Sequence, residues 1–312
     1  MNLDLRPMST SQVLDRTFWL YRRNFWLFAG IAALPPALGF VAQLAILVFP
    51  RIFSNSTREI PVLSIGIGVI LFALLYLVGY ALATGASVYA VSNTHLGKPI
   101  TIAEAYAAVG DRVVAILLTG LLMVVMFAGM AIGFALVFGA VAGVASMLGL
   151  KGIVAALLTF VVVMVEVVFF VWIFLRLSLV VPVCVLEKLG AVQSLKRSFS
   201  LARGTAGRLL IVILLSSAVT VALVVVFSIP FFIGAALSKG EPAIQYQVIQ
   251  QFAGFLAGTL GTPISLIAFV MVYYDQRVRK EAFDLTLMME AIGQAPPPKA
   301  METSAGSPNS IG

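Results

Sequence analysis

Side chains that could do chemistry are few in this chain and easily placed. It has one histidine, His95, and one cysteine, Cys184. A structural zinc site takes about four N or S ligands, so a zinc centre is not expected, and a lone cysteine allows no internal disulfide. No nucleophile–base pair, phosphate-cradling glycine loop or metal cluster can be read from the spacing, and the expectation is a non-catalytic protein without cofactor. The conspicuous acid is Glu166, set in the apolar run VVVMVEVVFFVW. An ionised carboxylate at the centre of a bilayer costs about 2.5–3.5 kcal/mol on insertion scales. Two readings of Glu166 stand. It is a proton or ligand site within a bundle, or a protonated acid hydrogen-bonded to a neighbour such as Thr159.

The remaining charges fall in clusters. Arg176 and Glu187 flank Pro182. They read either as a snorkelling arginine and a helix-terminal acid or, the favoured reading, as a pair that docks a nearby helix. Further on, Asp275/Arg279, Arg277/Glu281 and Lys280/Asp284 all have i,i+4 spacing. Each such pair contributes about 0.2–0.5 kcal/mol to a helix, so a solvated helical extension is expected there. An alternative has Asp275 meeting an arginine of another helix, Arg16 or Arg197.

The elements that must carry these residues are set by composition. Of 312 residues, 61% are hydrophobic and only 11% charged. A soluble domain runs about 45–50% apolar and about 25% charged, so a soluble enzyme is excluded. Six apolar stretches reach the length of about 20 residues that a span needs: roughly 25–49, 62–92, 113–148, 152–182, 207–237 and 249–275. The apolar stretch behind Arg6, Arg16, Arg22 and Arg23 is too long for the h-region of a signal peptide. Six spans put sixteen of the twenty Lys and Arg on one side, and leave Arg51, Arg58, Lys151 and Lys239 on the other. Basic loops stay cytoplasmic, so both termini are expected in the cytoplasm. The net charge of +7 then points to anionic lipid and not to nucleic acid.

Thirty-eight uncharged residues separate Arg112 from Lys151, about 57 Å as one helix against a hydrocarbon core of about 30 Å. This stretch must tilt, protrude or break, and Gly129, Gly133, Gly139, Gly143 and Gly149 offer places to bend. A seven-span reading would divide 113–182 in three, but it places the basic 277–280 cluster outside. Pro35-Pro36 and Pro230 are expected to kink or end helices. Gly129/Gly133, Gly139/Gly143 and Gly254/Gly258 have the GxxxG spacing that permits close helix packing.

Three segments preceding odd-numbered spans look alike. Each opens with a cap position and has Glu or Gln three residues later: Ser9/Gln12, Thr101/Glu104 and Gly190/Gln193, the spacing of a capping box. Thr101 follows Ser9 by 92 positions and Gly190 follows Thr101 by 89, a period that indicates a repeat. At 100° per residue, Asp15, Arg16, Arg22 and Arg23 share one face of the first segment, and Val13, Leu14, Phe18, Leu20 and Tyr21 the other. In the third, Lys196, Arg197 and Arg203 oppose Leu195, Phe199, Leu201 and Ala202. Such helices lie in the membrane interface with the basic face toward headgroups. Arg16, Arg22, Arg23, Lys196, Arg197 and Arg203 are therefore the candidate anionic-lipid contacts.

The expected fold class is an all-α integral membrane protein: six transmembrane helices in three parallel repeats, each an interfacial amphipathic helix plus a two-span hairpin. Residues 1–292 form the membrane domain, with repeats at about 9–92, 101–182 and 190–275 and then a juxtamembrane helix. Residues 293–312, rich in Pro, Ser and Gly, read as a disordered tail. Parallel repeats disfavour an inverted-repeat transporter.

Three stretches taken together, 5–28 (LRPMSTSQVLDRTFWLYRRNFWLF), 176–204 (RLSLVVPVCVLEKLGAVQSLKRSFSLARG) and 273–285 (YYDQRVRKEAFDL), resemble the bacterial family named for the membrane domain of glycerophosphoryl diester phosphodiesterase. The resemblance runs to about Met289. It implies a multi-pass protein of the bacterial inner membrane. The soluble catalytic barrel of the family's namesake has no counterpart in the 37 residues at 276–312, so the name implies no activity here. A bacterial origin also discounts the formal sequon Asn55-Ser56-Thr57. The leading expectation is a protein that binds or organises membrane lipid, through anionic phospholipid headgroups, or a partner membrane protein. The alternatives are a transporter or channel with a pathway between the hairpins past Glu166, and an accessory membrane subunit in glycerophospholipid metabolism.

Overall fold

The computed structural model describes residues 7–53, 62–237 and 244–282, together with Met289. Within them the chain forms eleven helices and no strand: α1 Thr10–Arg23, α2 Phe25–Ala32, α3 Leu34–Phe53, α4 Val62–His95, α5 Ile102–Gly110, α6 Val113–Met147, α7 Gly152–Leu177, α8 Val180–Leu186, α9 Ala191–Leu201, α10 Ala206–Leu237 and α11 Ile244–Glu281. Five stretches are long and apolar enough to cross a membrane: α4, α6, α7 with α8, α10 and α11. A sixth is made by α2 and α3, which meet at a 43° bend. Arg6, Arg58, Lys239, Lys299, Asp284, the Asn55 sequon and the 293–312 tail lie outside the described residues.

The burial pattern is inverted relative to a soluble protein. Val124, Ile132, Leu136, Ile153, Val165 and Val168 are all more than half exposed, and the most apolar windows of α6 and α7 bury no residue. In water such a belt would aggregate; hydrocarbon is the solvent it fits. The packed core lies at the end of the bundle that carries α1, α5, α8 and α9. There Ile267, Ala268 and Val270–Tyr274 of α11 are buried among Leu20, Phe28, Ile31, Val88, Leu179 and Val183.

The prolines act differently. Pro35 and Pro36 sit in the first turn of α3, where the missing N–H groups have no helical partner to lose, and the bend lies immediately before them. α10 continues through Pro230, and α11 through Pro263. The region 113–182 forms two long helices, α6 and α7. α6 runs unbroken for 35 residues, about 52 Å, so its excess length is taken up by tilt or protrusion and not by a break at glycine. Its GxxxG pairs do not bring a neighbour close: no atom lies within 4 Å of a Cβ built on Gly129, Gly133, Gly139 or Gly143. The tight helix contacts are elsewhere. A Cβ on Gly261 of α11 would lie 2.7 Å from Thr220 of α10, and one on Gly85 of α4 would lie 2.7 Å from Ile116 of α6.

Three short helices precede long ones on the core side. Ser9 and Thr101 form reciprocal capping boxes with Gln12 and Glu104 at the starts of α1 and α5. Gly190 caps α9 without a side-chain bond. Tyr21 of α1 donates to the Leu260 carbonyl of α11 (2.8 Å), and Tyr106 of α5 to the Ile31 carbonyl of α2 (2.7 Å).

Candidate functional site

Two polar assemblies occupy the end of the bundle where the short helices lie. One is closed on itself and the other is open.

The closed assembly is centred on Asp275, which is 1% exposed. Its carboxylate accepts from the backbone N–H of Met8 (2.8 Å), Arg208 Nη1 (2.6 Å), Arg279 Nε (2.9 Å) and Gln276 Nε2 (3.1 Å). Arg208 and Arg279 also donate to the Met8 carbonyl. The partner across helices is Arg208, at the start of α10, and not Arg16 or Arg197. A neighbouring set links α8, α9 and α11. Glu187 accepts from Arg197 Nε (2.9 Å) and from the Tyr273 hydroxyl (3.1 Å), Arg277 pairs with Glu281 (3.2 Å), and Arg197 reaches Glu281 as well. Burial lowers the Arg197 pKa, but hydrogen bonds and charge from Glu187 and Glu281 outweigh it and raise the guanidinium above its ordinary value. Lys280 donates to the carbonyls of Ser200, Leu201 and Arg203, neutralising the carbonyl end of α9. Arg176 donates to the Phe199 carbonyl (3.2 Å) and accepts at its own carbonyl from Ser198 Oγ (2.7 Å). Arg176, Glu187, Asp275, Arg277, Arg279 and Glu281 thus hold helices together. Arg197 is engaged with them, while Lys196 on α9 and Arg203 in the turn after it remain exposed.

The open assembly is built on α1. This helix buries Val13, Thr17 and Leu20; Thr17 turns inward by donating to the Val13 carbonyl (2.7 Å), and Phe18 is left 36% exposed. The outward side presents Arg16, Trp19, Arg22 and Arg23. The Arg16 guanidinium carbon lies 4.4 Å from the Trp19 ring centroid and that of Arg23 5.1 Å, so one indole face system holds two cations in place. Opposite them, α4 ends in a left-handed turn: Lys98 N–H bonds the Asn93 carbonyl (2.9 Å), Gly97 N–H bonds that of Thr94 (3.2 Å), and Gly97 has φ +75°. This is the glycine-requiring helix stop of the Schellman type, and Lys98, which follows it, lines the same hollow as α1. The open hollow between them measures about 370 Å³ and is lined by Arg16, Trp19, Arg23, Asn24, Thr94, Lys98 and their neighbours. Among the described residues no carboxylate forms an ion pair with Arg16, Arg23 or Lys98. Arg22 lies with Asp15 in a shallower adjoining recess. Three cations with no ion-paired carboxylate among the described residues make a cradle for an anion of phosphate size; Asn24 and Thr94 line it but donate to carbonyls of their own helices.

Lys98, Trp19, Asn24 and Thr94 were not singled out by sequence reasoning; the Gly97-Lys98 pair after a long apolar helix was the available signal. Glu166 sits apart from both assemblies, half-buried on α7, with Oε1 unpartnered by Thr159 or any other described residue. It lines neither this hollow nor the cavity between α3, α4 and α11 described below.

The chain matches no known family model, curated protein or solved structure. The resemblance carried by 5–28, 176–204 and 273–285 therefore rests on those residues alone.

Proposed function

We propose that this is a non-catalytic multi-pass protein of the bacterial inner membrane that binds and organises anionic phospholipid at its cytoplasmic face. The observation that carries the reading is the cradle of Arg16, Arg23 and Lys98 around Trp19, with no ion-paired carboxylate among the described residues. Near an anionic surface each Lys or Arg contributes about 1 kcal/mol. The cradle therefore favours a headgroup of net negative charge over a zwitterionic one, whose phosphate is offset by its own ammonium. The tryptophans support the same placement: Trp19, Trp26 and Trp172 are 42%, 83% and 44% exposed, on α1, α2 and the last turns of α7, as an interfacial aromatic belt requires. Both termini lie on the cytoplasmic side in this reading, by the distribution of Lys and Arg. The three short helices α1, α5 and α9 are the interfacial members of three like units, each followed by two spans.

The test is lipid retention. Wild-type protein purified gently from bacterial membranes should carry phosphatidylglycerol or cardiolipin well above the bulk proportion, read by mass spectrometry of the extracted lipid. Reversing Arg16, Arg23 and Lys98 to Glu should return the co-purifying lipid to the bulk ratio. Enrichment unchanged in that variant would remove the proposal's support.

A further inference from the structure

A second cavity, of about 310 Å³, lies between α3, α4 and α11 and shares no lining residue with the basic cradle. It exists because the 43° bend ahead of Pro35 sets α3 at an angle, and because the facing walls carry glycine. A Cβ on Gly254 would meet nothing within 4 Å. No charged side chain lines it; the walls are mostly carbon, from residues such as Phe40, Phe255 and Leu266, with uncharged hydrogen-bonding groups between them. One of these stands out. Ser87 is 3% exposed, and its hydroxyl finds no partner among the described residues. A helical serine or threonine in apolar surroundings ordinarily bonds back to its own helix, as Thr84 does one turn earlier to the Tyr80 carbonyl at 2.7 Å. Ser87 instead lines the cavity with a buried hydroxyl whose hydrogen-bonding capacity is free among the described residues.

We propose that this cleft binds a neutral lipid, with an apolar chain against Phe40, Phe255 and Leu266 and an uncharged oxygen, ester or hydroxyl, on Ser87. The volume falls at the lower end of the range for small-molecule sites, about 300–1,000 Å³, which are typically apolar with a few placed polar groups. A charged headgroup would find no counter-ion on these walls. The occupant is therefore of a different class from the anion assigned to the cradle.

Photolabelling of the full-length protein in lipid nanodiscs tests this. The probes are a diacylglycerol and a phosphatidylglycerol, each with a diazirine in the acyl chain. The diacylglycerol probe should label peptides of α3 and α11 that border the cleft. Gly254→Leu, whose Cβ meets no atom within 4 Å and whose side chain adds volume at the cavity wall, should cut that labelling by about tenfold, equivalent to about 1.4 kcal/mol of binding. Ser87→Ala should cut it several-fold without lowering thermal stability, since it removes a hydroxyl with no partner. Gly133→Leu on α6 and the triple Glu variant of the cradle should leave it unchanged. Labelling that survives both Gly254→Leu and Ser87→Ala, or equal labelling of the same peptides by phosphatidylglycerol, overturns the proposal. Should Gly254→Leu fail to fold, the Ser87→Ala comparison decides alone.

Discussion

Asp275 holds a buried negative charge only because donors reach it from three directions: the N-terminal segment through Met8, α10 through Arg208, and its own helix through Arg279. Removing one partner of a buried pair leaves the others uncompensated, at about 3–5 kcal/mol. Asp275→Asn is therefore expected to lower stability by that amount, measured by equilibrium unfolding in mixed micelles. The Glu187–Arg197 pair provides the contrast, because its side chains are 14% and 30% exposed. Solvent screening limits such a pair to about 1 kcal/mol, so Glu187→Gln in the same assay should move the midpoint far less. If the two variants are equally destabilised, the closed assembly is not centred on Asp275. Sequence spacing exposes half of this network. Asp275/Arg279 and Arg277/Glu281 are legible as i,i+4 pairs, because the geometry of one helix determines them. Arg208 is 67 positions from Asp275 and Met8 is 267 away. Their meeting depends on how α1, α10 and α11 are rotated about their axes, which no local pattern encodes. Arg197 was read as a lipid contact for the same reason: periodicity places it on a polar face but cannot tell solvent from a neighbouring carboxylate.

At the scale of the element, starts and stops of helices were the most legible feature, since caps are short-range chemistry. The Ser9/Gln12 and Thr101/Glu104 boxes form as their spacing implies. Ser9→Ala should lower stability by about 0.5–2 kcal/mol. It should also loosen α1 enough to speed amide exchange in its first turn, with α5 unaffected. Gly97 allows a sharper test, because it links an element to the cradle. Its φ of +75° is one that an alanine adopts only with strain of about 1 kcal/mol or more. Gly97→Ala should therefore reposition Lys98 and weaken anionic-lipid retention, although the substitution itself changes no charge. Retention equal to wild type would separate the Lys98 position from lipid binding. Helix–helix packing was less legible. GxxxG spacing on α6 marks places where nothing approaches, and of the Gly254/Gly258 pair only Gly258 is closely approached, by Pro36 at 3.0 Å, whereas Gly85 and Gly261, which have no such partner in the sequence, are among the glycines in closest contact. Glycine spacing reports that a backbone could be approached, and the bundle's arrangement decides whether it is.

Over the whole molecule, the division between a lipid-facing apolar belt and a polar, tightly packed end was legible from composition and charge distribution, because both follow from the solvent. The cradle was not, since it joins residues from α1 to the turn after α4 and needs the tertiary arrangement. That joining has a thermodynamic consequence. A ligand that binds the folded state alone raises stability by RT ln(1 + [L]/Kd), about 2.7 kcal/mol at a hundred times Kd. Wild-type protein moved from phosphatidylcholine to phosphatidylglycerol nanodiscs should therefore unfold at a higher temperature, with the gain reduced as salt rises and screening shortens to within about 10 Å at 0.1 M. The triple Glu variant at Arg16, Arg23 and Lys98 should lose that gain. In the neutral lipid it should unfold only slightly earlier than wild type, because no carboxylate among the described residues pairs with these cations and the exposed contacts of Arg16 and Arg23 with Trp19 contribute about 0.5–1 kcal/mol each. The two halves of the prediction separate binding from folding. A variant destabilised equally in both lipids would mean that the cradle residues support the fold itself. A wild type indifferent to headgroup charge would mean that the cationic hollow holds no lipid.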